Sequence, residues 1–129
     1  GVKADGSTTE IDEDGTIHAI SGGGILGINY SLEEQNTGLK WYDGSSIYQR
    51  TFIDIRTGDN LIDDSVSYRL IANAEIIAFM NDNSVVRITS GYTNDNVNRG
   101  TCYIENNQLF SILGSAYSNG IATVRYIKN

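Results

Sequence analysis

Few residues of this chain could perform covalent chemistry, because it has one histidine, His18, and one cysteine, Cys102. Nucleophilic catalysis needs a serine or cysteine in contact with a base and an orienting group. His18 lies in an acidic N-terminal segment, ahead of the glycines at 22–24, and we interpret it as a strand residue. Cys102 lies in an alternating segment typical of a buried structural thiol. We therefore expect no hydrolytic triad, no thiolate zinc cluster and no intramolecular disulfide.

Carboxylates are the catalytic groups present in number, with sixteen acidic side chains. Glycoside hydrolysis needs two of them about 5 to 9.5 Å apart, and no sequence context here is one that raises a carboxyl pKa. Glu75, in an Ala-Glu-Ile-Ile run, is the acid expected to be partly buried, and an edge or interface position explains it equally well. Asp59, Asp63 and Asp64 could surround a cation, but clustered loop acids are ordinarily hydrated. We predict no enzyme activity, no bound metal and no cofactor.

The charge of the chain narrows the classes of partner. Nine basic against sixteen acidic residues give a net charge of −7, and no Lys/Arg cluster is present to offset the repulsion of phosphate backbones. No stretch approaches the roughly 18 to 20 apolar residues of a membrane span. We expect neither nucleic acid binding nor membrane insertion. The partner classes that remain are protein and a neutral or basic glycan.

The composition predicts an all-β domain. Fourteen glycines, eight tyrosines and no proline are typical of short strands joined by tight turns. A strand is predicted over 47–55, with Ile47, Thr51, Ile53 and Ile55 on one face and Phe52 on the other. A further strand is expected from Tyr68 onward.

The second half of the chain predicts an antiparallel meander. Asn81–Asn83 and Asn106–Asn107 tolerate left-handed turn geometry and lie between β-prone segments, which predicts two hairpins. The strand at 108–113 is expected to meet the last strand through a turn at 118–120. Residues 61–65 are interpreted as a polar loop, and residues 25–30 as the first strand or a shoulder of the domain.

Two regions are predicted along the 129 residues. Residues 1–24 would form a stem or linker, with an acidic hairpin around Asp14-Gly15 and a hinge at the three consecutive glycines. Residues 25–129 are long enough for one domain with its own core. Because the chain begins with glycine and not methionine, we expect it to be a fragment of a longer polypeptide.

The candidate binding residues lie in the polar connection 91–100 and in a turn near the C-terminus. Binding residues concentrate on loops that a rigid scaffold carries, and this connection offers a ring for a sugar and donors and acceptors for its hydroxyls. A plain solvated loop is the alternative. The candidate residues are Tyr92, Asn94, Asp95, Asn96, Asn98, Arg99, Tyr117 and Asn119.

Two motifs carry a resemblance to a known family. The first is a Glu…Gly-x-x-Trp-x-Asp-Gly-x-x-Ile-Tyr pattern followed by a basic residue, and the second is a β-branched final run ending in Tyr-x-Lys. Their residues are Glu34, Gly38, Trp41, Asp43, Gly44, Ile47, Tyr48, Arg50, Thr51, Tyr126 and Lys128. Between them the chain resembles the head domain of tail-fibre and receptor-binding proteins of phages and prophages.

The resemblance implies an antiparallel β-sandwich, jelly-roll-like, that forms a homotrimer on a short N-terminal β stem. It implies a virion protein, made in the bacterial cytoplasm, that attaches the particle to a bacterial surface saccharide or protein without catalysis. Other tail or baseplate proteins would be reached through the preceding part of the polypeptide. In such a head Trp41, Tyr48 and Tyr126 would pack in the core or at a subunit interface.

Three alternatives remain open at the level of sequence. The chain could be a structural baseplate or fibre module without receptor contact. It could be a monomeric carbohydrate-binding module of a secreted enzyme, or a tail enzyme that cleaves polysaccharide. Binding of the isolated fragment to host cells, its solution mass and the release of reducing ends would discriminate among them.

Overall fold

The computed structural model describes residues 9–11, 17–19, 28–89 and 95–129, and this part of the chain is all-β. It contains no helix, and hence none that could cross a membrane. Its strands are β1 (Thr9–Ile11), β2 (Ile17–Ala19), β3 (Gln35–Lys40), β4 (Ser46–Arg56), β5 (Gly58–Asp63), β6 (Tyr68–Met80), β7 (Val85–Thr89), β8 (Gly100–Glu105), β9 (Gln108–Leu113) and β10 (Tyr117–Lys128).

The strands form three antiparallel sheets, which confirms the predicted antiparallel sandwich-like fold. The larger sheet has the order β3-β4-β10-β6-β7 and the smaller has the order β5-β9-β8, while β1 pairs with β2 alone. The first long strand, β4, pairs with the last, β10, and the next strand, β5, pairs in the other sheet with β9. This nested pairing resembles that of a jelly roll.

Turn chemistry accounts for the local connections. Asn106 and Asn107 both have positive φ, 53° and 65°, as a two-residue hairpin turn that matches the strand twist requires. Asn83 has φ of 74° and ends the turn between β6 and β7. Both predicted hairpins are confirmed. Gly58, with φ of 94°, begins β5 just after β4, so the chain passes from one sheet to the other within two residues.

The core lies between the two larger sheets. The central strand β10 contributes Ala122, Val124 and Tyr126, which face Leu109 and Leu113 of β9. Most of the core cluster comes from β4, β6 and β10 of the larger sheet, and the smaller sheet adds Cys102, Leu109 and Leu113. The rings of Tyr68 and Tyr126 lie 4.8 Å apart between their centroids.

The predicted alternation of β4 is wrong beyond Phe52. Ala122 of β10 pairs with Phe52 and Gly120 pairs with Ile55, so β4 carries one extra residue at this point. This is a β-bulge, at which Asp54 has φ of 60°. A bulge reverses the alternation of the residues after it. Phe52 lies before the bulge, on the core face with Tyr48, and the bulge brings Ile55 to that same face and leaves Ile53 50% exposed.

Three other sequence expectations are corrected. The last hairpin does not form, because β10 begins at Tyr117 and lies between β4 and β6 instead of beside β9. The turn that was placed at 118–120 lies at 114–116. Of the predicted loop at 61–65, the first three residues belong to β5. The first strand of the larger sheet is β3, and residues 28–30 are not in a strand.

The N-terminal region is described only through its two short strands. The register pairs Thr9 with Ala19 and Ile11 with Ile17, so the predicted acidic hairpin is present as a strand pair. Its turn at Asp14-Gly15 and the glycines at 22–24 lie outside the described residues. The division into a stem and a head stays a prediction.

The Cys102 thiol is buried, as predicted, and burial raises its pKa to about 12. The thiolate is the reactive form of cysteine. Relative to the ordinary value of 9.0, the folded protein holds about a thousandfold less thiolate near neutral pH. We expect an aromatic disulfide reagent at pH 8 to modify Cys102 at least about a hundredfold more slowly in the native protein than in guanidinium chloride. Equal rates in the two conditions would contradict the buried position.

Candidate functional site

The described part of the predicted receptor loop is organised by Asp95. Its carboxylate accepts hydrogen bonds from the backbone N–H of Val97 (2.9 Å) and of Asn98 (3.1 Å) and from the Asn98 side chain. These donors, Val97 first, hold the pKa of Asp95 below its usual range. Asp95 thus caps its own loop. Tyr92 and Asn94 lie outside the described residues.

A second segment fixes this loop from the other side. Three backbone N–H groups of the turn before β10 donate hydrogen bonds to carbonyl oxygens of the loop. The pairs are Gly114 N with Arg99 O (2.8 Å), Ser115 N with Asn96 O (3.0 Å) and Ala116 N with Val97 O (2.9 Å). The structure therefore brings the loop 95–99 together with the turn at 114–116. The loop forms a rigid rim of the sandwich because both of its sides are bonded.

Tyr117 does not present its ring to solvent. The residue is 6% exposed, belongs to the core cluster and donates from its hydroxyl to Asn98 O at 2.9 Å. Its visible role is to join the core to the rim. Asn119 is exposed on β10, where it pairs with Arg56 and Phe79. Of the predicted set, Asn96 and Asn98 are exposed on the rim and Arg99 is half-buried there.

The residues of the two family motifs meet in space. Glu34 accepts from the Tyr126 hydroxyl (2.6 Å) and from Lys128 Nζ (2.8 Å) through its two carboxylate oxygens. The Lys128 ammonium lies 4.1 Å from the centroid of the Tyr48 ring, within range of a cation–π contact. Burial, and then the Glu34 contact, raise the pKa of Tyr126. This cluster joins the beginning of the domain to its last strand.

The Asp-Gly turn of the first motif is a structural element. Ser45 N donates to Asp43 Oδ1 at 2.9 Å, Gly44 has φ of 90°, and Arg69 on β6 donates to the Ser45 hydroxyl at 2.7 Å. Ile47 is buried. Trp41 is half-buried and lies outside the main core cluster. Its ring centroid is 5.8 Å from that of the neighbouring tyrosine.

A partly buried polar chain links the two sheets through Asp63. Asp63 on β5 accepts from the Tyr68 hydroxyl at 2.5 Å and from Arg50 Nη1 at 3.4 Å. Burial, followed by the contact with Asp63, raises the pKa of Tyr68. Asp59, the other β5 acid, instead accepts from Tyr103 at 2.6 Å. Asp59 and Asp63 therefore accept hydrogen bonds from two different tyrosines.

The larger sheet also has an outer face, turned away from the core, whose side chains are mostly polar. The register places Thr123 between Thr51 and Glu75, and Arg125 between Gln49 and Asn73. Arg125 Nε donates to Gln49 Oε1 at 2.8 Å, and Thr51 and Thr123 share a hydrogen bond of 3.0 Å. Three adjacent strands therefore present a connected row of amides, hydroxyls and charges.

Tyr30 stands beside this outer face with 76% of its surface exposed. It lines both a polar pocket of about 210 Å³ and an apolar pocket of about 280 Å³. The polar pocket is lined by Tyr30, Gln49, Asn73, Glu75, Thr123 and Arg125. The apolar pocket is lined by Tyr30, Thr51, Glu75, Ile77, Ile121 and Thr123. An exposed ring that lines both an apolar and a polar hollow is suited to an amphipathic ligand.

A larger cleft, of about 480 Å³, opens where β4 passes into β5. Its lining includes Arg50, Asp54, Arg56 and Asn60. Arg50 already donates to Leu32 O at 2.8 Å and pairs with Asp63. Its guanidinium also covers the Phe52 ring, at 4.8 Å from the centroid. Because the Arg50 guanidinium is already engaged in contacts within the domain, we regard this cleft as a weaker binding site than the outer face.

No sequence signal singled out the outer face. Its residues come from β4, β6, β10 and the segment before β3, and those on the strands are mostly polar residues of alternating strands, of which Gln49 and Thr51 are buried. Glu75 was expected to be partly buried, and it is half-buried in a pair with Arg87 (3.0 and 3.3 Å). The one available signal is that Tyr30 is an aromatic residue in the segment that precedes β3.

Three of the described carboxyls have a shifted pKa. A general acid needs a raised pKa, whereas the described carboxyls with a shifted pKa, Asp43, Asp82 and Asp95, are all shifted downward by hydrogen bonds. Among the described residues no group of three or more His, Cys, Asp or Glu side chains could hold a metal ion.

Comparison with known proteins adds no relative: no family model, no curated protein and no solved structure matches this chain.

Proposed function

We propose that this chain is the head of a phage or prophage tail-fibre or receptor-binding protein, which attaches the particle to the bacterial surface without catalysis. The observation that carries the proposal is the meeting of the two motifs. Glu34 of the first motif is bonded to Tyr126 and Lys128 of the last strand, although 92 and 94 residues separate them. Glu34 and Tyr48 of the first motif thus lie in one cluster with Tyr126 and Lys128 of the second.

The proposal includes a homotrimer on the N-terminal β stem. A lone two-stranded hairpin such as β1–β2 is marginal in water, and three chains would give it partners. Three heads would also raise a weak single-site affinity through avidity. The receptor would be a saccharide or a protein of the cell surface. Other tail or baseplate proteins would be held by the preceding polypeptide, and the assembled protein would reside in the virion.

A measurement of mass and of cell binding tests this proposal. We expect the fragment to elute with a light-scattering mass of about 42 kDa, three times the 14.1 kDa of one chain. We also expect the labelled fragment to bind cells of at least one strain in a panel of bacteria and to block adsorption of a phage that uses that strain. A stable monomer that binds no strain would contradict the proposal. A trimer without cell binding would favour the structural module instead.

A monomeric carbohydrate-binding module is the second candidate, and the observation that favours it is Tyr30, which is exposed beside the polar pocket. Such modules present an aromatic ring and hydrogen-bonding side chains on a sheet face. A mass near 14.1 kDa together with saccharide binding would select this reading.

A further inference from the structure

We propose that the outer face of the larger sheet, around Tyr30, binds a neutral pyranose unit of a surface glycan. The assignment names a receptor surface for the attachment function proposed above and rests on that function only for the source of the sugar. The rim loop, where the sequence places the receptor contacts, uses Asp95 and the backbone of its neighbours for its own structure. The outer face is a different surface.

The first argument is that Tyr30 is exposed while its backbone neighbours are fixed. Ser31 O accepts from Thr51 N at 2.8 Å, and Asn29 O accepts from the Gln49 side chain at 3.2 Å. Asn29 N also donates to Gln35 Oε1 at 3.0 Å. The segment is therefore attached to β4 on both sides of the tyrosine. A large ring presented on a fixed backbone loses little conformational entropy when a ligand stacks on it.

The second argument is the chemistry of the two hollows beside the ring. A pyranose has apolar C–H faces and an equatorial rim of hydroxyls. The Tyr30 ring and the isoleucines of the apolar pocket suit the faces, and the polar pocket offers the exposed Asn73 amide beside a Glu75 carboxylate that already accepts from Arg87. A guanidinium carries five N–H donors. Gln49 accepts from one donor of Arg125, and the others can serve hydroxyls.

The third argument is charge and size. Arg125 and Glu75 are the charged side chains in the lining of the polar pocket, so its formal charge is balanced. The whole chain carries −7, which disfavours acidic sugars over distances of about 8 to 10 Å. Each hollow is smaller than the roughly 300 to 1,000 Å³ of pockets for drug-sized ligands. An uncharged unit of one or two rings fits these limits better than an acidic or long one.

An NMR titration of the whole fragment tests the site directly. The probes are glucose, galactose, rhamnose and N-acetylglucosamine, with glucuronic acid as the acidic comparison, each taken into the millimolar range. We expect at least one neutral sugar to shift the amide signals of Tyr30, Thr123 and Arg125 in a saturable way, and glucuronic acid to bind more weakly. No saturable shift on the outer face with any neutral sugar would overturn the proposal.

Variants test the role of the ring. Tyr30→Ala is expected to weaken binding of that sugar about tenfold, since aromatic stacking is lost, and Tyr30→Phe to stay within about twofold. The matched control is Tyr42→Ala, because Tyr42 is 91% exposed in the Asp-Gly turn, and it should leave binding unchanged. Wild-type affinity in Tyr30→Ala would overturn the site. So would a loss of trimer mass in Tyr30→Ala without an effect on sugar binding, because the face would then be a subunit contact.

Cell binding separates this inference from the proposed function. If the neutral sugar binds at Tyr30 and also inhibits attachment of the fragment to cells, both stand. If the sugar binds at Tyr30 but does not compete with cell attachment, the site stands and its use as the receptor surface is overturned. If cells bind the fragment and no neutral sugar does, the attachment function stands and the pyranose site is overturned.

Discussion

Asp63→Ala is expected to lower the free energy of unfolding by about 3 kcal/mol, because truncation leaves buried partners without an acceptor. The Asp63 side chain is only 9% exposed and pairs with Arg50. It also accepts from the Tyr68 hydroxyl at 2.5 Å, and Tyr68 is fully buried between the sheets. The loss is measured by urea denaturation monitored by far-UV circular dichroism.

The neighbouring acid supplies the control for this substitution. Asp64 is exposed, so Asp64→Ala should change the free energy of unfolding by less than about 0.5 kcal/mol. In the double variant Asp63→Ala/Tyr68→Phe the losses should be less than additive, because the second substitution removes the hydroxyl that the first leaves unsatisfied. Equal stability of Asp63→Ala and Asp64→Ala would show that the polar chain does not stabilise the fold.

Gly114→Ala is the second substitution with a large expected effect, a loss of about 3 kcal/mol from overpacking. A Cβ at position 114 would lie 2.6 Å from the Val97 carbonyl carbon and 2.9 Å from Arg99 N, and closer still to Val97 O. These are backbone atoms, so no side chain can move aside. The hydrogen bonds that join the turn to the rim loop must lengthen or break. Thermal unfolding with limited proteolysis of the rim measures the effect.

Ser115→Ala is the matched control, because Ser115 is the next residue and is exposed. It should unfold within about 0.5 kcal/mol of the wild type and resist proteolysis equally. If Gly114→Ala were as stable as Ser115→Ala, the close contact between the turn and the rim would be absent in solution.

Local rules account for what could be predicted of the fold. The hairpins across Asn81–Asn83 and Asn106–Asn107 follow from side chains that tolerate positive φ, and the strand from Tyr68 follows from β-branched and aromatic composition. The buried state of Cys102 follows from its place in an alternating segment. Each of these depends on a few neighbouring residues and so can be inferred without knowing the rest of the chain.

Long-range pairing explains what could not be predicted. The position of β10 between β4 and β6 depends on contacts across many residues, such as Thr51 with Thr123, and no short segment encodes such a choice. The bulge at Asp54 is a consequence of that pairing, and it brings Ile55 to the core face that Phe52 already occupies. Tyr117 was expected to contact a receptor, but it is buried because β10 begins there.

By itself the sequence determined the all-β class, the turns and the contrast between apolar and polar strand faces, because these depend on backbone preference and burial over a few residues. Tertiary structure alone decided which strands are neighbours. It therefore also decided that Gln49, Asn73 and Arg125, from three separated strands, share one row beside Tyr30. The candidate site exists because the sheet brings together residues that are individually unremarkable in the sequence.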